Sequence, residues 1–215
     1  MTTMLMLDFE TLSLKDNAVL LALGACTFDP VTGDICDTFY AAIDPRTQPG
    51  RDISASTVLW WMEQNDVARN ALVASIKAAD QIEANDTEDG PELDKLYETA
   101  AHSIHNVSRA FIAWYEQQGD IEGVWSNGAV DHAWLESMMD YAGLKNPVPF
   151  WLQRDFRTLK ALNPTIKGAE LGCMHHALDD AVRQAHHMSL IMQSTSVCDA
   201  DTSDNQRQTD TTCQL

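Results

Sequence analysis

The stretch MLMLDFET, residues 4–11, constrains the fold more than any other, because an apolar run ends there in two carboxylates. Alternate residues of a β-strand face the same side of a sheet. Asp8 and Glu10 are therefore expected to share one face, while Phe9 points into a core on the other. Two neighbouring like charges repel each other unless a cation lies between them. Taken alone, the two acids fit either a solvated strand end or a cation site.

The residues around this stretch predict a sheet that opens with a three-stranded meander. Residues 3–9, 18–28 and 35–43 are each apolar enough for a strand. The turn-rich sequence DPVTGD, residues 29–34, joins the second and third of them and predicts an antiparallel hairpin.

A helical insertion is predicted between about residues 50 and 120. Residues 54–76 have helix-like apolar spacing behind Ser and Thr caps, and residues 85–92 form a polar break with Gly and Pro. Beyond the break, apolar residues recur every three or four positions and predict one long amphipathic helix. The stripe consists of Leu93, Leu96, Tyr97, Ala100, Ile104, Val107, Phe111 and Trp114.

The remainder of the chain alternates strands and helices. A strand is predicted at 123–127, a helix at 131–144 and a further strand within 147–159. A closing helix over 176–192 carries small residues on one face, which lets a helix lie close to a sheet. These elements predict one α/β domain over residues 1–193, with a mixed sheet of five or six strands flanked by helices. The acidic, Ser- and Thr-rich residues 194–215 are predicted to form a disordered tail.

The net charge of −18, with only 14 basic residues, restricts the function. A protein that coats long nucleic acid through its general surface field is expected to be basic. Much of the acidity lies in the tail and between residues 80 and 98, where eight acids accompany one lysine. The charge is compatible with a small-molecule enzyme, an adaptor, or a nuclease that attracts phosphate through bound metal ions.

The five cysteines are odd in number and show no CxxC spacing. This pattern favours reduced thiols and a cytoplasmic protein over a disulfide framework or a zinc knuckle. The first residues, MTTML, lack the features of a signal peptide, and no stretch reaches the roughly 18 apolar residues of a membrane span. We therefore expect no membrane partner.

Two further acids stand at predicted helix starts: Asp131 in NGAVDHAWL, residues 127–135, and Asp180 in HHALDDA, residues 175–181. Singly, an acid in a first helical turn is an ordinary partner of the helix dipole. The spacing HxAxxD selects His175 and Asp180 in the second motif, with His176 and Asp179 as the alternatives.

Together with LDFET, residues 7–11, these motifs resemble those of the DEDDh 3′–5′ exonucleases of the ribonuclease H-like (DnaQ-like) superfamily. The resemblance covers about residues 4–192. The segments STVLWWMEQ (56–64) and RDFRTL (154–159) look like those of the phage DexA-type and bacterial exoribonuclease subgroup. The resemblance implies a ribonuclease H-like fold that hydrolyses 3′ ends of DNA or RNA, single-stranded or 3′-overhanging, to 5′-mononucleotides. It also allows a homodimer.

The resemblance further implies two Mg²⁺ or Mn²⁺ ions, a pair that can activate water and stabilise a leaving alkoxide. Asp8 would bridge both ions, and Glu10 and Asp180 would complete the one that activates water. Asp131 would support the second ion, partly through water. His175 would act as the general base, a task suited to imidazole near neutral pH.

Substrate contacts are less sharply defined. By the resemblance, Thr11 and Leu12 lie beside the terminal nucleotide. Trp61 and its neighbour Trp60 would either stack on bases or pack against the sheet. Asn127 would either cap the next helix or hold a substrate group.

Two arginines in the segment RDFRTL, residues 154–159, are further candidates for substrate contact. Arg154 and Arg157 would contact phosphate or form an ion pair with an acid such as Asp155.

A catalytically silent adaptor or nucleic-acid-binding module of this fold would be expected to lack one of the acids, and all are present. A histidine–aspartate nucleotide phosphohydrolase needs adjacent His and Asp, which HHALDD separates.

Overall fold

The computed structural model describes residues 2–64, 66–84 and 99–209 of the chain. Its sheet has five strands in the order β3-β2-β1-β4-β5. The first three strands pair antiparallel, and β4 and β5 run parallel to β1. The predicted mixed sheet with an opening meander is therefore confirmed, with five strands. The strands are β1 (Met4–Thr11), β2 (Leu20–Phe28), β3 (Ile35–Ala42), β4 (Gly123–Ser126) and β5 (Gln153–Asp155).

Six α-helices flank this sheet within the described ranges. They are α1 (Ala55–Glu63), α2 (Asp66–Ala84), α3 (Ile104–Gln117), α4 (Ala129–Ala142), α5 (Phe156–Leu162) and α6 (Ala177–Thr209). None of the described helices is both long and apolar enough to cross a membrane.

The two faces of the sheet carry separate cores. Leu5, Leu7 and Phe9 on β1 pack on one side against α3 and α4, with Phe111 and Leu135 among their partners. On the other side Met6, Cys26 and Phe28 pack against α5 and α6, through Phe156, Ala181, Ala185 and Met188. Burial on both faces explains why β1 and β2 read as near-continuous apolar runs.

The helical pattern predicted over residues 54–76 is present and is divided between two helices. Helix α1 ends at Glu63 and α2 begins at Asp66. The backbone N–H of Gln64 donates to the carbonyl of Trp61 at 3.2 Å and closes α1.

The prediction of one long amphipathic helix from Leu93 to Trp114 is wrong, because a new helix begins at Ile104. This helix is α3, and it begins behind Ser103, whose hydroxyl accepts from the N–H of Asn106. Just before it, the N–H of His102 donates to the carbonyl of Ala42 at 2.9 Å, so this chain segment pairs with the end of β3. The predicted stripe residues Leu93, Leu96 and Tyr97 lie outside the described residues.

The closing helix confirms its predicted small-residue face. Ala177, Ala181, Ala185 and Met188 are fully buried against the sheet. The helix extends to Thr209, beyond the predicted end near residue 192. Its side chains are described only as far as Ser194, so the disordered tail and the domain boundary at 193 stay predictions.

Candidate active site

Asp8 and Glu10 lie near the carboxyl end of β1 on the face that α6 covers. In the ladder with β2, Asp8 is opposite Gly24 and Glu10 is opposite Ala22. Phe9 points to the other face, where its ring meets Trp134 edge-on at 6.4 Å. The shared face predicted for the two acids is therefore present.

Helix α4 brings Asp131 to the same place. Because β4 runs parallel to β1 and pairs with it, the start of the following helix lies at the carboxyl edge of both strands. Asp131 is buried, and its Oδ1 accepts a hydrogen bond from the backbone N–H of Phe9 at 3.3 Å. That N–H lies between Asp8 and Glu10, so the bond fixes Asp131 beside both acids.

Helix α6 brings Asp180 from the opposite side of the sheet edge. Its first turn lies directly on β2, where a Cβ built on Gly24 would be 2.2 Å from the backbone of Ala177 and Leu178. Only glycine permits this approach. Asp180, in that first turn, is buried and interacts electrostatically with Glu10.

His175 joins this cluster from the loop before α6. Its backbone N–H donates to Oδ2 of Asp180 at 3.2 Å, and its φ of 64° lies in the left-handed region. One potential ligand atom from each of Glu10, His175 and Asp180 lies within 4.8 Å of the others. The ring of Trp60 packs edge-on against His175, with 4.7 Å between ring centroids.

The alternative residues of this motif have other contacts. His176 stacks on Tyr40 with 4.5 Å between ring centroids. Oδ2 of Asp179 accepts from the backbone N–H of Cys173 at 2.8 Å, which ties the preceding loop to α6. The structure thus brings His175 and Asp180 to the acids of β1, and it directs His176 and Asp179 elsewhere.

Burial raises the pKa of all four acids, and repulsion within the cluster adds to this for Asp8 and Glu10. Burial, followed by repulsion from Asp131 and Glu10, raises the pKa of Asp8 well above its ordinary value. Burial, followed by repulsion from Asp180 and Asp131, raises the pKa of Glu10 to about 8. Burial raises the pKa of Asp131 to about 7 and also raises that of Asp180, against the opposing charge of Arg183.

This arrangement fits a divalent cation. Hard ions such as Mg²⁺ and Mn²⁺ prefer carboxylate oxygens, and four carboxylates converge here. A buried polar atom also points to an additional ligand, because Oε1 of Gln184 has no hydrogen-bond partner among the described residues. The acids are therefore a candidate metal site.

Two residues of the site, both on α6, were not predicted from the sequence. Nε2 of Gln184 donates to Oδ1 of Asp8 at 2.9 Å and so orients that carboxylate. Arg183 forms an ion pair with Asp180. Helical periodicity was the available signal, because residues three and four positions after Asp180 lie on the same side of the helix.

Two cavities meet at Glu10. The acid cavity, of about 550 Å³, is lined by Asp8, Glu10, Asn127, Lys160, Lys167, His175, Asp180, Arg183 and Gln184, among others. The tryptophan cavity, of about 380 Å³, is lined by Phe9, Glu10, Thr11, Leu14, Ser56, Thr57, Trp60, Trp61 and Trp134.

Of the predicted substrate residues, Thr11 and Trp61 line the tryptophan cavity. Trp61 is only 6% exposed, and its indole N–H donates to the carbonyl of Thr11 at 2.9 Å. Leu12 packs beside it. Trp60 is 41% exposed and is the tryptophan of the pair that is open to solvent.

Asn127 lines the acid cavity, whereas neither Arg154 nor Arg157 is among its lining residues. Gly128, not Asn127, is the N-cap of α4, so the capping interpretation of Asn127 is wrong. Its Oδ1 accepts from Nζ of Lys160 at 2.6 Å. Neither Arg154 nor Arg157 forms an ion pair within the part of the chain that the structure describes. Arg154 donates to the carbonyls of Trp151 and Gln153.

The comparisons with known proteins agree with this geometry. The family model of the 3′–5′ exoribonuclease Rv2179c-like domain matches residues 3–192. Among curated proteins, the sequence has no significant match.

Solved structures show the same fold at low sequence identity. The nuclease domain of 3′hExo, a DEDDh family member solved with bound rAMP, has 15% identity and a TM-score of 0.53. That match covers 89% of this chain and 92% of the other. A 3′-exonuclease solved for its 3′-end specific recognition of a histone mRNA stem-loop has 13% identity and a TM-score of 0.56, over 89% of this chain and 82% of the other. The ribonuclease H-like fold expected from the motifs is confirmed.

Proposed function

Because the chain belongs to the 3′–5′ exoribonuclease Rv2179c-like domain family, we propose that it shortens RNA from the 3′ end and releases 5′-mononucleotides. The observation that carries this proposal is the convergence of Asp8, Glu10, Asp131 and Asp180 with His175 beside them. Such a cluster suits phosphodiester hydrolysis, because cations held there would attract the anionic substrate and stabilise the alkoxide leaving group.

We assign the four acids as ligands of two Mg²⁺ or Mn²⁺ ions. When bound, such ions neutralise the carboxylates, attract phosphate and lower the pKa of a coordinated water. Gln184 holds one oxygen of Asp8, and the N–H of Phe9 holds one oxygen of Asp131. The other oxygen of each of these two carboxylates would then bind a cation.

His175 serves as the general base in this proposal. Its imidazole takes a proton from the attacking water as the water oxygen bonds to phosphorus. The bond between phosphorus and the 3′ oxygen of the penultimate nucleotide then breaks, and that oxygen takes a proton from solvent. The hydrogen bond from the His175 N–H to Asp180 holds the loop, and the edge of Trp60 limits rotation of the ring.

The terminal nucleoside fits the tryptophan cavity. This cavity adjoins Glu10, has an apolar lining for a base, and carries the hydroxyls of Ser56 and Thr57. Thr11 and Leu12 would flank the nucleoside, and Trp61 would support Thr11 through its indole hydrogen bond. The exposed Trp60 offers a ring for base stacking. The narrower likeness to the phage DexA-type subgroup, the homodimer and the cytoplasmic location stay predictions.

Digestion of single-stranded RNA tests the proposal. One strand carries a label at its 5′ end, and a second carries a labelled phosphate in its last internucleotide linkage. With Mg²⁺ or Mn²⁺ we expect the 5′-labelled strand to give a ladder that shortens progressively, and the second strand to release a labelled 5′-mononucleotide. EDTA should stop both reactions.

A DNA strand of the same sequence and an Asp8→Asn variant complete the design. Faster digestion of DNA than of RNA would correct the substrate class while leaving the chemistry intact. Release from the 5′ end, internal cuts, or equal activity of the variant would contradict the proposal.

A further inference from the structure

The wall of the acid cavity that faces the carboxylates carries cations. Lys160 and Lys167 line it in a chain that has only 14 basic residues and a net charge of −18. Arg183 also lines it but is paired with Asp180. Neither lysine has an ion-pair partner among the described residues. In so acidic a chain, two unpaired lysines in one cavity point to an anionic ligand.

Lys160 is held in place rather than free. Its ammonium donates to Oδ1 of Asn127 at 2.6 Å and lies 4.9 Å from the ring centre of Phe156. Phe156 is fully buried and anchors α5 to the sheet. Burial, followed by the charge of Arg157, lowers the pKa of Lys160. An oriented and partly desolvated ammonium binds an anion more strongly than a freely moving surface lysine does.

Lys167 lies on a loop that is fixed to α6. Nε2 of His187 is 2.9 Å from the carbonyl of Ile166. A Cβ built on Gly168 would be 2.8 Å from the side chain of His187, so the loop backbone packs directly on that ring. These contacts set the loop on either side of Lys167 beside the cavity.

The position of Glu10 gives the direction of a bound strand. Glu10 lines both cavities, with the tryptophan cavity on one side and the lysines in the acid cavity on the other. If the terminal nucleoside occupies the tryptophan cavity, the strand 5′ of the scissile bond must leave through the acid cavity. The first group that it carries there is the next backbone phosphate.

We propose that Lys160, with Lys167 beside it, binds the internucleotide phosphate immediately 5′ of the scissile one. This inference rests on the proposed function, because it takes the strand polarity from it. The subsite would allow a protein of high negative charge to bind the nucleic-acid backbone locally. It would also make each turnover depend on an anionic group one linkage away from the bond that breaks.

The test uses a set of RNA strands in which one linkage is a neutral methylphosphonate. The neutral linkage stands at the second, third or fourth position from the 3′ end, and removal of the terminal nucleotide is measured as kcat/KM. A charge-assisted contact contributes about 1.5–3 kcal/mol, so neutralising the second linkage should cost the wild-type protein about 10- to 100-fold. Neutral linkages at the third and fourth positions should cost much less.

Lys160→Met identifies the protein partner of that phosphate. On the unmodified strand, this variant should lose a similar factor, and the second-position methylphosphonate should cost it little more, because the two changes remove the same contact. Lys160→Arg keeps the positive charge, so the second-position methylphosphonate should again lower kcat/KM by most of the wild-type factor. Lys145→Met is the matched control, since Lys145 is exposed and lines a different cavity, and it should show the full wild-type position effect.

The outcomes separate this inference from the proposed function. If the second-position methylphosphonate lowered kcat/KM by the same factor in the wild-type protein and in Lys160→Met, the inference would be overturned. If the second-position methylphosphonate did not lower kcat/KM of the wild-type protein, the inference would also be overturned. This outcome does not depend on whether the Lys160→Met variant folds. Failure of the wild-type protein to shorten the unmodified strand would instead overturn the proposed function.

Discussion

Gly24 on β2 lies in direct contact with the backbone of Ala177, the first residue of α6. A Cβ at position 24 would be 2.2 Å from the carbonyl carbon of Ala177. Because Gly24 also pairs with Asp8, this contact sets the distance between the β1 acids and Asp180. A position with no reactive group of its own therefore controls the geometry of the site.

Gly24→Ala should separate α6 from the sheet at the active site. Overpacking of a tight interface costs about 1–3 kcal/mol, and we expect a loss of that order in the free energy of unfolding. Exonuclease activity should fall further, by at least about 100-fold, because displacement of reacting groups by about 1 Å has effects of that size. Chemical denaturation and RNA digestion measure the two quantities.

Gly123→Ala is the control for this substitution. The three atoms nearest to its Cβ would belong to the side chains of Met4, Trp125 and Arg154, which can move, rather than to a backbone. Activity near that of wild type is expected. Full activity of Gly24→Ala would show that the contact does not position the site.

Asp8→Asn should abolish hydrolysis while it stabilises the metal-free protein. The loss of a metal-binding charge removes several kcal/mol of transition-state stabilisation, so activity should fall by at least about 1,000-fold. The same change removes a carboxylate that Asp131 and Glu10 repel, so the melting temperature in EDTA should rise. Calorimetry in EDTA and digestion with Mg²⁺ test both effects. A lower melting temperature would argue against strong repulsion among the acids.

His175→Asn should slow turnover by about 100- to 10,000-fold, the usual contribution of a general base. Asparagine tolerates the left-handed backbone of this position, so the loop should keep its conformation. His176→Asn, which removes the stacking on Tyr40 and the contacts of the ring with Asp179, should remain close to wild type. Mn²⁺ titration of His175→Asn should still detect binding. If His176→Asn is the inactive variant, the residue assignment within the motif is wrong.

The metal-free protein should become less stable as the pH rises. The pKa of Glu10 is about 8 in the folded protein against an ordinary 4.5, so the folded state binds more protons than the unfolded state between these values. Stability therefore falls with rising pH across that window. Between pH 4.5 and 8 the raised pKa of Glu10 corresponds to a loss of about 4 kcal/mol, or roughly 8–16 °C in melting temperature.

Thermal unfolding between pH 4.5 and 8, with and without Mg²⁺, measures this dependence. Mg²⁺ should remove most of the slope, because bound cations stabilise the deprotonated carboxylates. Glu10→Gln should reduce the slope in EDTA. A melting temperature that is independent of pH in EDTA would contradict the raised pKa of the cluster.

Much of this site was predictable from the sequence, because its key residues lie in local patterns. The alternation of β1 placed Asp8 and Glu10 on one face, and the motif spacings selected Asp131 and Asp180. The small-residue face of α6 predicted its close packing on the sheet. Each of these signals lies within a few residues of the position that it describes.

The features that were missed depend on contacts between distant segments. The apolar period of the predicted long helix continues through residue 102, but His102 pairs with the end of β3 and breaks the helix. A glycine within a strand, such as Gly24, is compatible with close approach by another segment, but the sequence does not identify α6 as that segment. Lys160 belongs to no motif, and only the folded chain brings it to Asn127.

The most direct test of the central claim is anomalous diffraction from crystals of the protein soaked in Mn²⁺. We expect anomalous peaks bounded by Asp8, Glu10, Asp131 and Asp180, and their loss in Asp8→Asn crystals. Manganese bound elsewhere on the protein, with none among these four carboxylates, would contradict it.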